Sequence, residues 1–287
     1  MNSPMALQPD ILAASDAFRA ACELDVLAFK PGNVSMDSPG HGMTAQDFVV
    51  SARVAAPHVA DRMLGVGERV YRAIEATRQA VACNTNLGIV LLAVPLIHAA
   101  QHRLPGETLA QRLYLSLSGL TQEDADWVYR AICLAAPGGL GEPTRHDVHT
   151  TPTVTLLVAM QEAARWDRIA HQYASTYADI FGMGMVRLRQ GRARWGGEAE
   201  AVTTVYLGYL ADFPDSHVLR KYGPDTAEQV RQMTRTCIAN IARCSDWADV
   251  RSHLEALDHE LKLTSINPGT SADLTVATWL ADRLTHG

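Results

Sequence analysis

Apolar positions return every three or four residues through most of this chain, and short polar stretches rich in Gly and Pro interrupt them. That spacing places an apolar stripe along a helix, whereas a half-buried strand would alternate. The first stripe, ILAASDAFRAACELDVLAF, predicts a helix starting near Pro9 or Asp10 and stopping around Lys30, where Pro31 and Gly32 punctuate the pattern. The polar run NVSMDSPGHGMT follows, and Thr44 with Asp47 has the spacing of a capping box for the next helix. Further helices are predicted over 46–65, 67–82, 87–100, 107–119 and 123–136. PGGLGEPTRHDVHTTP breaks the pattern, 153–185 resumes it, and RLRQGRARWGG reads as a basic turn region before a helix over 198–210. DFPDSHVLRKYGPD reads as another break, 226–257 as helical, and SINPGTSADL as a last break before a short C-terminal helix. No series of alternating strands and no fixed-period repeat is visible. The expected fold is all-α, a multi-helix orthogonal bundle around one main core, with residues 1–287 as a single catalytic domain and a short N-terminus that need not be fixed.

Composition narrows the class. With 287 residues, 47% of them hydrophobic, the chain can bury a substantial core. The formal charge of -6 gives no general field for nucleic acid. Arg187, Arg189, Arg192 and Arg194 beside Trp195 leave nucleic acid as a minor reading, against a local phosphate clamp or a solvated helix end. The longest apolar run, GIVLLAVPLIHAA, is shorter than a bilayer span and contains Pro95 and His98, so it reads as a buried core helix with no membrane partner. The start, MNSPMALQPD, lacks the basic and apolar regions of a secretory signal, which makes the cytoplasm the expected compartment. Cys22, Cys83, Cys133, Cys237 and Cys244 form no CxxC pair and read as free thiols. GxxxxGK[ST], GxGxxG and GxSxG are absent, which removes common nucleotide and ester-hydrolysis schemes.

Five polar segments carry the candidate chemistry. In the first, Lys30 could engage phosphate, Glu23 or Asp37 could bind magnesium or its waters, Gly32 permits a close turn, and Asn33 and Ser35 lie beside it. Glu23 and Lys30 are two helical turns apart and would share a face if the helix ran to Pro31. In the second, CNTNLG, Asn84 and Asn86 could cap the apolar helix and its amides could receive an anion. The third and densest holds Gly138, Gly139, Gly141, Glu142, Arg145, His146, Asp147 and His149, with carboxylates for a metal or a hydroxyl and Arg145 for phosphate. In the fourth, Arg220 and Lys221 could neutralise phosphate, Asp212 or Asp215 could organise magnesium, and His217 could carry a proton. In the fifth, Gly269 allows close backbone approach and Ser271 or Asp273 could cap the last helix. Each segment taken alone also reads as a capped helix end or a solvated, charged loop.

Their order along the chain, E-x6-KPGNVS, GHGM with a following SA, CNTNLG, GLGEPTRHD, DSHVLRKYG and NPGTSADL, resembles the triphosphoribosyl-dephospho-coenzyme-A synthase family from about Cys22 to Leu280. The family includes enzymes that prepare prosthetic-group precursors for citrate lyase and malonate decarboxylase. The resemblance implies an all-helical transferase in which an acceptor hydroxyl attacks the ribose anomeric carbon of ATP and adenine leaves. The triphosphate stays on the transferred ribose, Mg2+ screens it, and the familiar acceptor is 3'-dephospho-coenzyme A. Carried over by position, it implies catalytic roles for Glu23, Glu142, Asp147 and Asp273, with Asp273 activating the acceptor hydroxyl. With the residue chemistry above, it suggests substrate or phosphate contacts at Lys30, Asn33, Asn84, Asn86, Arg145 and Ser271 and, where the family's DTN and RGG pattern corresponds only loosely, at His217, Arg220 and Lys221, with a metal set drawn from Glu23, Asp37, Glu142, Asp147 and Asp215.

This chain departs from the family pattern in having KPGNVS for KPGLVD and Leu140 for the arginine of RGE. A different cofactor-precursor acceptor, including one in one-carbon cofactor biosynthesis, therefore stays open, as do a noncatalytic ATP-binding regulator and a homo-oligomer.

Overall fold

The computed structural model describes residues 9–136 and 147–286. The N-terminal segment and the central GGLGEPTRH stretch, with Glu142 and Arg145, lie outside the described residues. The helices are α1 Pro9–Leu27, α2 Ala45–Val59, α3 Val66–Ala80, α4 Leu87–Gln101, α5 Leu109–Ser118, α6 Gln122–Ala135, α7 Leu156–Ala163 and α8 Arg168–Ser175. A π-helical turn, Ile180–Gly184, leads into α9 Met185–Trp195, followed by α10 Glu198–Asp212, α11 Ser216–Tyr222, α12 Pro224–Ile241, α13 Trp247–Leu263 and α14 Gly269–His286. No strand occurs among the described residues, which form an all-α orthogonal bundle.

The apolar run is α4, and it lies at the centre. Its residues from Ile89 to Ile97 are buried, and it packs against α14, α5 and α3. Pro95 removes the amide that would bond the Leu91 carbonyl four residues back. The Tyr173 hydroxyl donates to that carbonyl at 2.6 Å, and Tyr177 donates to Leu92 at 3.1 Å. A helix-breaking residue inside the core is thus satisfied from α8 and the turn after it. A second apolar cluster joins α10, α11, α12 and α13 around Tyr206, Leu210, Leu254 and Leu261. The predicted capping box is present: Asp47 Oδ2 accepts from the Thr44 amide at 2.7 Å.

Three breaks expected from the sequence are helical. RLRQGRARWGG is largely α9, because Gly191 is a packing site: a Cβ there would stand 2.6 Å from the Ala201 Cα on α10. Of its arginines, Arg187 pairs with Asp212 at 2.7 Å, Arg192 with Glu198 and Asp282, and Arg194 donates to carbonyls at the end of α12. DFPDSHVLRKYGPD contains α11, started by the Asp215 cap. The C-terminal helix is not short: α14 starts inside the expected break, at Gly269, and runs for 18 residues. In the other direction, 226–257 is two helices, and 153–185 divides into α7, α8 and the π turn.

Candidate functional site

The first polar segment is a turn that folds back on α1. The helix ends at Leu27, short of Lys30, so Glu23 and Lys30 do not align two turns apart as expected. The last carbonyls of a helix lack amide partners. Here the fully buried Lys30 ammonium turns back to the Asp25 carbonyl and pairs with Asp25 Oδ1 at 3.2 Å. Burial pushes the Asp25 carboxyl above its ordinary range, and Lys30 opposes that shift. Gly32 adopts φ +80, and a Cβ there would press on Leu261 and Pro268 at 2.9 Å. Tyr206 donates to the Pro31 carbonyl at 2.6 Å, and His41 Nε2 is 2.9 Å from the Gly32 carbonyl. Asn33, also buried, donates to Asn267 Oδ1 at 2.8 Å, which ties the first segment to the fifth.

The N-termini of α4, α8 and α14 converge beside this turn, with α11 alongside. A Cβ at Gly88 would overlap the Asp273 carboxylate and lie 2.9 Å from Ile169 Cδ1, so α4, α14 and α8 meet there with no room for a side chain. A Cβ at Gly269 would lie 2.7 Å from His217 Nδ1, which brings α11 against α14. Asp215 fixes that junction. One of its oxygens accepts from the His217 and Val218 amides, and the other from the Ser271 amide at 2.7 Å and the Ser271 hydroxyl at 2.8 Å. Ser216 Oγ accepts from the Arg168 amide at 2.8 Å, and Arg220 pairs with Asp167, the α8 cap, at 2.6 Å. Asn84 caps α4 through the Leu87 amide, whereas Asn86 turns inward to Thr77 Oγ1 at 3.1 Å. The first turn of α4 carries no acidic side chain. The Leu87, Arg168 and Ser271 amides are thus already taken by protein acceptors, and what the converging helices offer an anion is the positive ends of their dipoles.

Asp273 is the exceptional group. It makes no hydrogen bond or ion pair among the described residues, and burial together with Asp25, Asp215 and Asp167 raises its carboxyl well above the ordinary range, Arg220 opposing weakly. His217 is pushed the other way: burial lowers its imidazole, Arg220, Lys221 and His41 add to that, and Asp215 opposes it. The side chains around this space are thus the unpartnered Asp273 carboxyl with raised proton affinity, the His217 imidazole with lowered proton affinity, the buried Lys30 paired with Asp25, and the partly exposed Arg220 paired with Asp167.

The structure does not gather every residue read from the sequence. Glu23 is exposed on α1, and Asp25 is the carboxylate that faces inward. Asp37 is exposed and pairs with Arg251 at 3.4 Å. Lys221 is exposed beside the Tyr222 ring. Asp147 accepts from the His149 amide at 2.9 Å and neighbours Tyr129 and Cys133 of α6, whose ionisation it opposes. Glu142 and Arg145 lie outside the described residues. Among the described residues no three His, Cys, Asp or Glu side chains gather to hold an ion. Sequence reading passed over Asp25, His41, Asp167 and Asp258. For Asp25 a signal existed, because Phe18, Cys22 and Asp25 share the buried phase of α1.

No helix among the described residues is long and apolar enough to cross a membrane. A comparison with curated proteins gives no match. Among solved structures, a chain from Archaeoglobus fulgidus, provisionally named triphosphoribosyl-dephospho-coA synthase, is similar with a TM-score of 0.63 and 24% identity over 83% of this chain and 98% of that one. That likeness shows a shared fold. The CitG family, described as ATP:dephospho-CoA triphosphoribosyl transferase, matches residues 12–287. A match over nearly the whole length makes this protein a member of the ATP:dephospho-CoA triphosphoribosyl transferase family.

Proposed function

We propose that this protein transfers the triphosphoribosyl group of ATP to the hydroxyl of 3'-dephospho-coenzyme A and releases adenine. The observation that carries the proposal is the meeting of Asp273 with Gly88 where three helix N-termini converge, next to Lys30 and Arg220, in a chain of this family. The positive ends of three helices and the cations Lys30 and Arg220 suit a triphosphate, and a carboxyl suits the reacting end of the ribose. The acceptor oxygen forms a bond to the anomeric carbon, the bond from that carbon to adenine breaks, and the acceptor proton needs a base. Asp273 fits that role: its raised proton affinity moves it toward the working pH, where a general base acts best. His217, its proton affinity lowered by burial and its ring packed on Gly269, would orient the substrate.

Magnesium would arrive with ATP. The described members of the expected metal set do not fit a dedicated cage, since both Asp215 oxygens are taken by protein donors and Asp37 faces Arg251. Magnesium ordinarily keeps waters and binds through one or two carboxylates with substrate phosphates, so no such cage is required.

The test is incubation with MgATP and dephospho-coenzyme A, with adenine followed by chromatography and the acceptor by mass. Adenine with a triphosphoribosyl adduct supports the full reading. Adenine without an adduct moves the acceptor to another cofactor precursor. Intact ATP across a panel of such precursors, with folded protein, would leave a nucleotide-binding regulator instead.

A further inference from the structure

The KPG turn is held from the far side by one face of α13. Arg251, Asp258 and Lys262 are spaced by seven and four residues, so they line a single helix face. All three reach the segment between Phe29 and Ser38. The Arg251 guanidinium stacks over the Phe29 ring at 3.7 Å and pairs with Asp37. Asp258, buried, accepts from the Gly32 amide at 2.8 Å with one oxygen and from the Ser38 hydroxyl at 2.8 Å with the other. Lys262 pairs with Asp258 at 3.2 Å and donates to the Ser38 carbonyl at 3.0 Å. The Gly32 amide is thus satisfied by a residue more than two hundred positions away.

We infer that Asp258 is a positioning residue for the transfer reaction, fixing the Gly32–Ser38 turn so that Lys30 and Asn33 are held ready for the phosphate tail of ATP. The inference rests on the proposed function for its catalytic consequence, but not for its structural one. Asp258 touches no reacting atom. It supplies a charge-assisted anchor to a backbone amide and a hydroxyl of the same turn, and Lys262 locks the carboxylate between them. Pre-ordering a binding loop lowers the entropic cost of engaging ligand, so its loss should weaken ATP binding more than it slows the chemical step.

The test compares wild type with Asp258→Asn and with Ser38→Ala, which removes one of the two anchors while leaving the core of α13 intact. Glu260→Gln, on the same helix but turned to another face, serves as the control. Amide hydrogen exchange across residues 29–43 and the kinetics of adenine release are the two readouts. Expected for Asp258→Asn are faster exchange confined to that segment and a KM for ATP about tenfold higher, as for one lost charge-assisted hydrogen bond. Ser38→Ala should move both readouts in the same direction by less, and kcat per folded molecule should change less than KM in each. Unchanged exchange in Asp258→Asn overturns the inference whether or not the wild-type chain releases adenine. A fall in kcat per folded molecule with KM unchanged overturns the catalytic half, and a fall only in activity per total protein, with KM unchanged, marks a merely structural role and overturns it too. Absence of adenine release from the wild type would instead sink the proposed function, with the exchange result still deciding whether Asp258 orders the turn.

Discussion

The carboxylate of Asp273 fills the space that a side chain at Gly88 would need: a Cβ added there would overlap Asp273 Oδ2 and stand 2.9 Å from Ile169 Cδ1. Alanine is intrinsically the better helix former by about 1 kcal/mol, so nothing in the local backbone demands glycine at the second position of α4. The demand comes from α14. Gly88→Ala should leave the melting temperature nearly unchanged, because the flexible end of Asp273 can yield. It should lower adenine release about 100-fold, the scale of a misplacement of roughly 1 Å. A Gly88→Ala enzyme working at the wild-type rate would remove Asp273 from the reacting centre.

Stability should fall with rising pH because of Asp273. Its folded carboxyl titrates well above the ordinary range through burial and the neighbouring Asp25, Asp215 and Asp167. The unfolded value is about 3.9. Between the two values the folded state binds more protons than the unfolded one, so the contribution of Asp273 is fully present below about pH 4 and is lost as pH rises toward the folded value. Asp273→Asn removes that dependence. Melting curves in chelated buffer should show the variant gaining on wild type as pH increases from 4 to 8, and a constant difference across that range would contradict the assignment.

Asp215 is expected to act as a brace. It caps α11 and holds the first turn of α14 through Ser271, with both oxygens fully used. Asp215→Ala should cost about 3 kcal/mol in denaturant unfolding, the sum of a lost cap and a lost charge-assisted bond. Asp215→Asn, which keeps one acceptor, should cost less. The magnesium concentration that supports half-maximal activity should be the same in Asp215→Asn as in wild type. A shift of tenfold or more would assign the residue to the metal instead.

Much of this molecule was legible as pattern. The central apolar helix, the Thr44–Asp47 cap and the absence of strands among the described residues follow from periodicity and local chemistry. What misled was glycine and proline read as punctuation. Gly191 and Gly269 are glycines because another helix or a histidine ring lies against them, a tertiary requirement that local sequence does not express. The same limit applies to the site. Polar segments could be recognised one by one, yet the hydrogen bond from the Gly32 amide to Asp258 and the contact of Asp273 with Gly88 join residues with no sequence relation. Glu23 stood out as the acid nearest the KPG motif, whereas helical phase turns Asp25 inward.

That last distinction can be measured. Lys30 is fully buried, and Asp25 is the carboxylate at ion-pair distance from it among the described residues. Taking away one partner of a buried pair strands the other charge in low dielectric, which typically costs about 3–5 kcal/mol. Asp25→Asn should therefore lower stability by that amount in urea unfolding. Glu23→Gln, on the exposed face of the same helix, should stay within about 0.5 kcal/mol of wild type. The double variant Asp25→Asn with Lys30→Met removes both charges and should recover most of the lost stability, since an apolar replacement of a buried pair is often neutral. It should not recover ATP binding, measured by calorimetry, if Lys30 is the phosphate-binding cation proposed above. A double variant that regains both stability and ATP affinity would show that Lys30 serves only to close the end of α1.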